Sequence, residues 1–266
     1  MHDYLIAVIM GIVEGLTEFL PISSTGHLIL TGTVLDFTGP RAEAFEIIIQ
    51  LGAILAVIVI YWPRFLGLIR PTAEQSFGGM RGIFLLFLTS VPAAVLGLLI
   101  HSSIKEYLWG PKSVALALAV GAIGILVIEH RSRPTRCRSM DQITPIMALG
   151  IGLFQCLALW PGFSRSASTI MGGMIMGAGR AVAAEYSFIA AVPILAAAAG
   201  YEFLKNLDLF TINELPMLGI GFVVSFIATW IAVRTFIRLL QAFTLRPFAI
   251  YRLILAPIVF FCWPGA

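Results

Sequence analysis

Apolar residues run along this chain in blocks rather than in alternation. Six blocks, residues 44–62, 83–101, 113–129, 183–204, 215–237 and 247–262, read as membrane-spanning helices, because ~20 apolar residues in helical form cross a bilayer core. Four shorter blocks, 4–20, 24–35, 144–160 and 164–177, fall below that length and come as two pairs. Each pair is split by a polar bend containing proline. This pattern predicts re-entrant hairpins, which enter the bilayer and leave by the same side. Such broken backbone is tolerated at membrane depth only where protein or water surrounds it. The expected fold is an all-α polytopic membrane protein with six transmembrane helices and two re-entrant helical hairpins.

Composition agrees. Of 266 residues 59% are hydrophobic and 12% charged, about half the charged share of a soluble domain. No cleavable signal peptide is expected, since the N-terminus lacks a basic region. Cys137, Cys156 and Cys262 are scattered and imply neither a disulfide framework nor a metal-binding CxxC. The net charge of +3 does not argue for nucleic acid, because the basic residues sort by loop. Arg64, Arg70 and Arg81 lie in loop 63–82, and Arg131, Arg133, Arg136 and Arg138 in loop 130–142. Arg180, Arg234, Arg238 and Arg246 fall on the same side of the predicted layout, with Arg41, Lys105, Lys112 and Lys205 on the other. If the arginine-rich side is cytoplasmic, every turn alternates correctly and both termini lie outside.

The two hairpins then enter from opposite sides, which predicts inverted-topology repeats over residues 3–129 and 144–263 of one membrane domain. Gly11-Ile-Val-Glu-Gly-Leu resembles Gly152-Leu-Phe-Gln-Cys-Leu, and Pro21-Ile-Ser-Ser-Thr-Gly resembles Pro161-Gly-Phe-Ser-Arg-Ser with an offset of one residue. In such folds the broken-helix tips meet near the midplane and form the site.

The stretch from Glu14 to His27 carries most of the candidate chemistry. Glu14 and Glu18 share a helix face. Two carboxylates in apolar surroundings call for a cation or a shared proton, and their oxygens suit Mg²⁺ or Ca²⁺; the competing reading is a pair of interfacial acids facing water. Pro21 ends the helix. Ser23 and Ser24 are natural N-caps for the next one, whose N-terminus is an anion site. Ser24 is either a nucleophile activated by His27 or a plain cap, and His27 either a general acid–base or a packing residue. In the second bend Arg165, between Ser164 and Ser166 and one turn before Thr169, is an intramembrane charge suited to phosphate; the alternative is a structural ion pair with an acid of the first bend. Glu46, Glu185 and Arg252 are candidates for interior pairing; the alternative for each is a place near an interface.

These residues carry a resemblance. Glu14-Gly-Leu-Thr-Glu-Phe-Leu-Pro-Ile-Ser-Ser-Thr-Gly-His27 and Pro161-Gly-Phe-Ser-Arg-Ser-Ala-Ser-Thr169, with Phe45-Glu-Ile-Ile-Ile-Gln50 and Pro247-Phe-Ala-Ile-Tyr-Arg252, resemble the bacterial undecaprenyl-diphosphate phosphatase family linked to bacitracin resistance. Ala167 departs from the glycine expected there. The resemblance implies hydrolysis of undecaprenyl diphosphate to undecaprenyl phosphate and inorganic phosphate in the bacterial plasma membrane, with a divalent cation and a site open to the periplasm. It implies that Ser24, His27, Glu18 and Arg165 are catalytic and that Glu14 and Glu18 hold the metal. Substrate contacts are expected from Arg165, Ser23, Ser24, Thr25, Ser164, Ser166 and Thr169. The implied partners are a polyprenyl diphosphate and membrane lipid, not nucleic acid; a homodimer is compatible with the sequence but not derivable from it. A lipid-phosphate transporter or flippase using the same pocket is the rival reading, because inverted repeats with broken helices are equally a transporter's architecture.

Overall fold

Proline sets where many of the helices begin. Its missing N–H costs nothing in the first turn, and its fixed φ suits helix entry. The computed structural model describes residues 2–71, 76–131, 135–205 and 214–263. Over these the helices are α1 (His2–Thr17), α2 (Ser24–Val34), α3 (Pro40–Ile60), α4 (Trp62–Ile69), α5 (Gly79–Ser103), α6 (Pro111–His130), α7 (Pro145–Gln155), α8 (Arg165–Ile175), α9 (Arg180–Lys205), α10 (Leu215–Ala242) and α11 (Arg246–Phe261). Proline occupies the first or second position of α3, α4, α6, α7, α10 and α11. Among the described residues there is no strand, only an isolated bridge between Cys137 and Ala178. Arg133 lies outside the described residues.

Every predicted apolar block is a helix, with ends shifted by a few residues. Two differences matter. Loop 63–82 contains the unforeseen α4, because Pro63 stands in its first turn and starts a helix rather than stopping one. Five helices (α3, α5, α6, α9 and α10) are long and apolar enough to cross a membrane. The sixth expected span, α11, has 16 residues, about 24 Å at 1.5 Å per residue. Large apolar side chains such as Phe87, Leu98, Ile123, Ile227 and Ile254 face outward at 50–82% exposure. An apolar surface so extensive belongs in lipid; the chain is a multi-pass membrane protein.

Side-chain links sort the helix ends into two groups. Arg41 at the start of α3 pairs with Asp3 on α1 and with Glu214 just before α10. Arg64 pairs with Asp141 just before α7, Asp141 also accepts the Phe77 N–H, and Arg81 donates to the Ile143 carbonyl. Buried Glu129 at the end of α6 takes both arms of Arg180 at the start of α9 and the Leu245 N–H before α11. Thus α1 starts among the first group of ends and α7 among the second.

Helices α1 and α3 pack on α10, α7 on α5, and α11 on α6, while α8 is wedged against α7 and α9. Gly15 makes the α1–α10 approach possible: a Cβ there would stand 2.6 Å from the Ser225 carbonyl oxygen. Helices α5 and α9 carry internal Pro92 and Pro193, which the interior of a membrane bundle tolerates.

Candidate active site

Each bend is built the same way around one strained serine. After α1, a tight turn closes from Ile22 N–H to the Leu20 carbonyl, and Ser23 takes φ 72° immediately before α2. After α7 and a 3₁₀ turn, Phe163 N–H bonds the Trp160 carbonyl, and Ser164 takes φ 78° immediately before α8. Positive φ at a residue other than glycine costs roughly 1–3 kcal/mol and persists where the surroundings impose it. Counting back from the two serines, Glu14 and Gln155 occupy the same register, both 1% exposed.

The bends meet. Glu18 receives the Ser24 hydroxyl on one oxygen at 2.6 Å and Arg165 on the other at 3.1 Å. Arg165 also donates toward the Ser187 carbonyl at 3.3 Å and lies over the Phe19 ring at 5.0 Å. Its Nε is buried without a partner. Ser166 donates to the Leu20 carbonyl at 2.6 Å, stitching the second bend to the first. Thr169 bonds Ser187, the other residue that receives Arg165. Ser164 caps α8 through the Ala167 N–H. Ser23 is buried and gives no side-chain cap, and Thr25 is half-buried in the first turn of α2. Glu14 is fully enclosed, and neither carboxylate oxygen has a protein partner. The acids are therefore interior groups, not interfacial ones.

One expected contact is absent. His27 does not reach Ser24: Nδ1 donates to the Ser23 carbonyl at 2.7 Å, and Nε2 meets the Tyr251 hydroxyl at 2.6 Å. A carbonyl only accepts, so Nδ1 carries the proton and Nε2 accepts from Tyr251. The Ser24 proton faces Glu18 instead.

Two residues of α11 were not foreseen in these places. Tyr251 holds the imidazole. Arg252, a candidate for interior pairing, is fully buried and donates to carbonyls of both bends.

His27 and Tyr251 also line an apolar groove of about 450 Å³ between α1, α10 and α11, with Val13, Leu16, Ile231, Leu239 and Phe248 along its walls. A separate cavity of about 230 Å³ lies beside Arg131 and Arg180, and none of the expected site residues lines it.

Residues 7–258 match the model of the family described as Bacitracin resistance protein BacA. The chain belongs to that family. Within the BacA family it is 62% identical over 263 residues to a protein of Maridesulfovibrio salexigens named undecaprenyl-diphosphatase, an alignment covering 99% of this chain and 100% of the relative. It is 60% identical to the protein of that name from Solidesulfovibrio magneticus, over 99% of this chain and 100% of the relative. A third, from Lawsonia intracellularis, is 56% identical over 97% of both chains. All three bear the same name, so this BacA member sits among relatives that share one named activity.

Proposed function

We propose that this chain hydrolyses undecaprenyl diphosphate to undecaprenyl phosphate and inorganic phosphate. The carrying observation is the junction of the bends, where one carboxylate, Glu18, receives both the Ser24 hydroxyl and the Arg165 guanidinium. Whole-length similarity to named diphosphatases supports hydrolysis over the transporter reading.

Phosphoryl transfer needs positioning and charge stabilisation above all. Arg165, with a spare buried Nε, clamps the diphosphate. Ser24 attacks the terminal phosphorus or aligns a water for that attack, and Glu18 takes the released proton. The bond from that phosphorus to the bridging oxygen breaks, leaving the lipid monophosphate; where Ser24 is the nucleophile, water then cleaves the phosphoserine, which releases inorganic phosphate and restores the hydroxyl. His27 acts from a tautomer fixed by Ser23 and Tyr251. Ser23, Thr25 and Ser164 line the two helix entrances as hydroxyl and amide donors, while the Ser166 and Thr169 hydroxyls, which donate to the Leu20 and Arg165 carbonyls, brace the second bend.

The acids fit a divalent cation of the Mg²⁺ or Ca²⁺ type. Glu14 has two buried oxygens without protein partners beside Glu18's helix face. Among the described residues no group of three or more His, Cys, Asp or Glu side chains forms a metal cage. That suits an ion completed by waters and phosphate oxygens. Glu14 and Glu18 would hold it, and it would neutralise diphosphate charge.

The polyprenyl tail lies in the groove between α1, α10 and α11, whose lining includes His27 of the first bend's helix. The α1–α2 and α7–α8 pairs are the re-entrant hairpins of two inverted repeats, and α11 is a sixth, short span. Their opposite starting ends and the matching strained serines support this. The site opens toward the periplasm of the bacterial inner membrane, because the arginine-rich ends mark the cytoplasm.

The test is phosphate release from detergent-solubilised protein given a polyprenyl diphosphate; a pure transporter releases none. Impermeant thiol labelling of single cysteines at positions 108 and 135 tests orientation. Preferential outside labelling at 135 reverses it.

A further inference from the structure

An arginine without an acid is the least expected feature of this interior. Arg252 is fully buried on α11, and its partners are all carbonyl oxygens. Nε donates to Leu118, one terminal nitrogen to Pro21, and the other to Ala117, Gly162 and Phe163, at 2.8–3.3 Å. Pro21 belongs to the first bend, Gly162 and Phe163 to the second, and Ala117 and Leu118 to α6. One guanidinium therefore ties the two bends and a helix into one body. A charge at membrane depth is costly, so its retention calls for a function.

The choice of carbonyls says what that function is. A carbonyl oxygen is the negative end of its peptide dipole and repels phosphate. Peptide units are planar and trans, so N–H points opposite to C=O. By drawing the Phe163 carbonyl to itself at 2.8 Å, Arg252 turns the Ser164 amide the other way, at the residue held at φ 78° just before Arg165. The Pro21 bond fixes the entrance to the Ser23–Ser24 bend, where the Ile22 N–H of the same peptide unit is already taken by the Leu20 carbonyl. Gly121 leaves the space: a Cβ there would collide with the guanidinium. We infer that Arg252 is a positioning residue that locks both bends with their carbonyls withdrawn, so that the Ser164 amide and the Glu18–Arg165 junction face the diphosphate. The inference rests on the hydrolase reading of that junction.

The test uses the full chain in detergent micelles. kcat and KM for phosphate release from a polyprenyl diphosphate are measured for wild type and Arg252→Ala, with thermal melting of each, alone and with inorganic pyrophosphate. A site misplaced by about 1 Å loses on the order of 100-fold in turnover. Arg252→Ala should lose about that factor in kcat, with KM, largely held by the tail groove, nearly unchanged. Stabilisation by pyrophosphate should fall with it. A folded Arg252→Ala with wild-type kcat overturns the inference. If that variant does not fold, Gly121→Ala decides: it deletes no hydrogen-bonding group but pushes on the guanidinium. Folded Gly121→Ala with reduced kcat supports the role, and with full kcat overturns it. A wild type that binds pyrophosphate yet releases no phosphate removes the hydrolase reading alone; the positioning role then stands or falls on whether Arg252→Ala loses pyrophosphate stabilisation.

Discussion

Replacing Arg165 by lysine keeps the charge and removes the fork. At 3.1 Å from Glu18, the Coulomb attraction is roughly 5 kcal/mol at an effective dielectric of ~20. A lysine ammonium at a similar distance retains that attraction. What it loses is the second arm toward Ser187 and the spare Nε. A hydrogen bond from a charged donor contributes about 1.5–3 kcal/mol to stability, so detergent-phase melting should drop by several degrees while the variant stays folded. Turnover should respond far more. A compact ammonium cannot make two parallel bonds to phosphate oxygens, and a lost electrostatic donor costs on the order of 2.7–4 kcal/mol in the transition state, ~100–1000-fold. The loss should fall mainly on kcat, since the contact strengthens as charge develops. Phosphate release with kcat and KM separated, beside melting curves, is the assay. A folded Arg165→Lys with near-wild-type turnover refutes the clamp and leaves Arg165 as the counter-ion of Glu18.

Ser24→Ala should fold normally and lose kcat by ~100-fold or more if its oxygen attacks or aligns water; retained turnover would reduce Ser24 to a helix-start residue. Tyr251→Phe removes the donor to His27 Nε2 and should lower kcat by roughly tenfold, the lower end of what a positioned acid–base supplies; unchanged kinetics would make the contact incidental. Ala232→Trp fills the groove wall and should raise KM for a long polyprenyl diphosphate more than for a short prenyl one; equal effects would move the tail elsewhere. Burial pushes the Asp141 carboxyl up, but the Phe77 N–H and Arg64 outweigh it and hold the group below its usual value. Its stabilisation is therefore complete above the unfolded value of ~3.9 and disappears as pH falls through the lower folded value. Between pH 7 and pH 3 the wild type should lose more melting temperature than Asp141→Asn, and equal losses would contradict the assignment.

Apolar blocks were legible because length and unbroken hydrophobicity are local properties, and both bends were legible because prolines and hydroxyls interrupt those blocks. Helix α4 was missed because its eight residues are too few to register as an apolar block of spanning length. The Glu18–Arg165 contact was within reach, since opposite charges in an apolar chain seek each other. The partners of His27 were not, because spacing along α2 suggested Ser24 while the accepting carbonyl of Ser23 lay one turn back. Arg252 was the harder case. Sequence reasoning pairs a charge with a charge, and nothing local reveals an arginine satisfied by carbonyls of three distant segments. The groove was equally hidden, as its walls come from α1, α10 and α11.

The two bends share a backbone and divide the chemistry. At matching register the first has Glu14 where the second has Gln155, and Ser24 where the second has Arg165. Gln155 is anchored to the Thr89 carbonyl, whereas both oxygens of Glu14 lack a protein partner. One bend has thus kept acids and a hydroxyl, the other a guanidinium and caps. A symmetric pair of acidic bends would repel a diphosphate, and a symmetric pair of arginine bends would bind it with neither the Ser24 hydroxyl nor a carboxylate to take its proton. Divided as they are, Glu14 and Glu18 stand against Arg165 and Arg252, which leaves no net positive charge for an entering anion when both acids are ionised. A dianionic or trianionic headgroup then brings more charge than these side chains offset, and in a low-dielectric interior that excess is expensive. On the proposed reading a divalent cation on the two acids would remove it, and the division of labour between the bends would itself call for the ion.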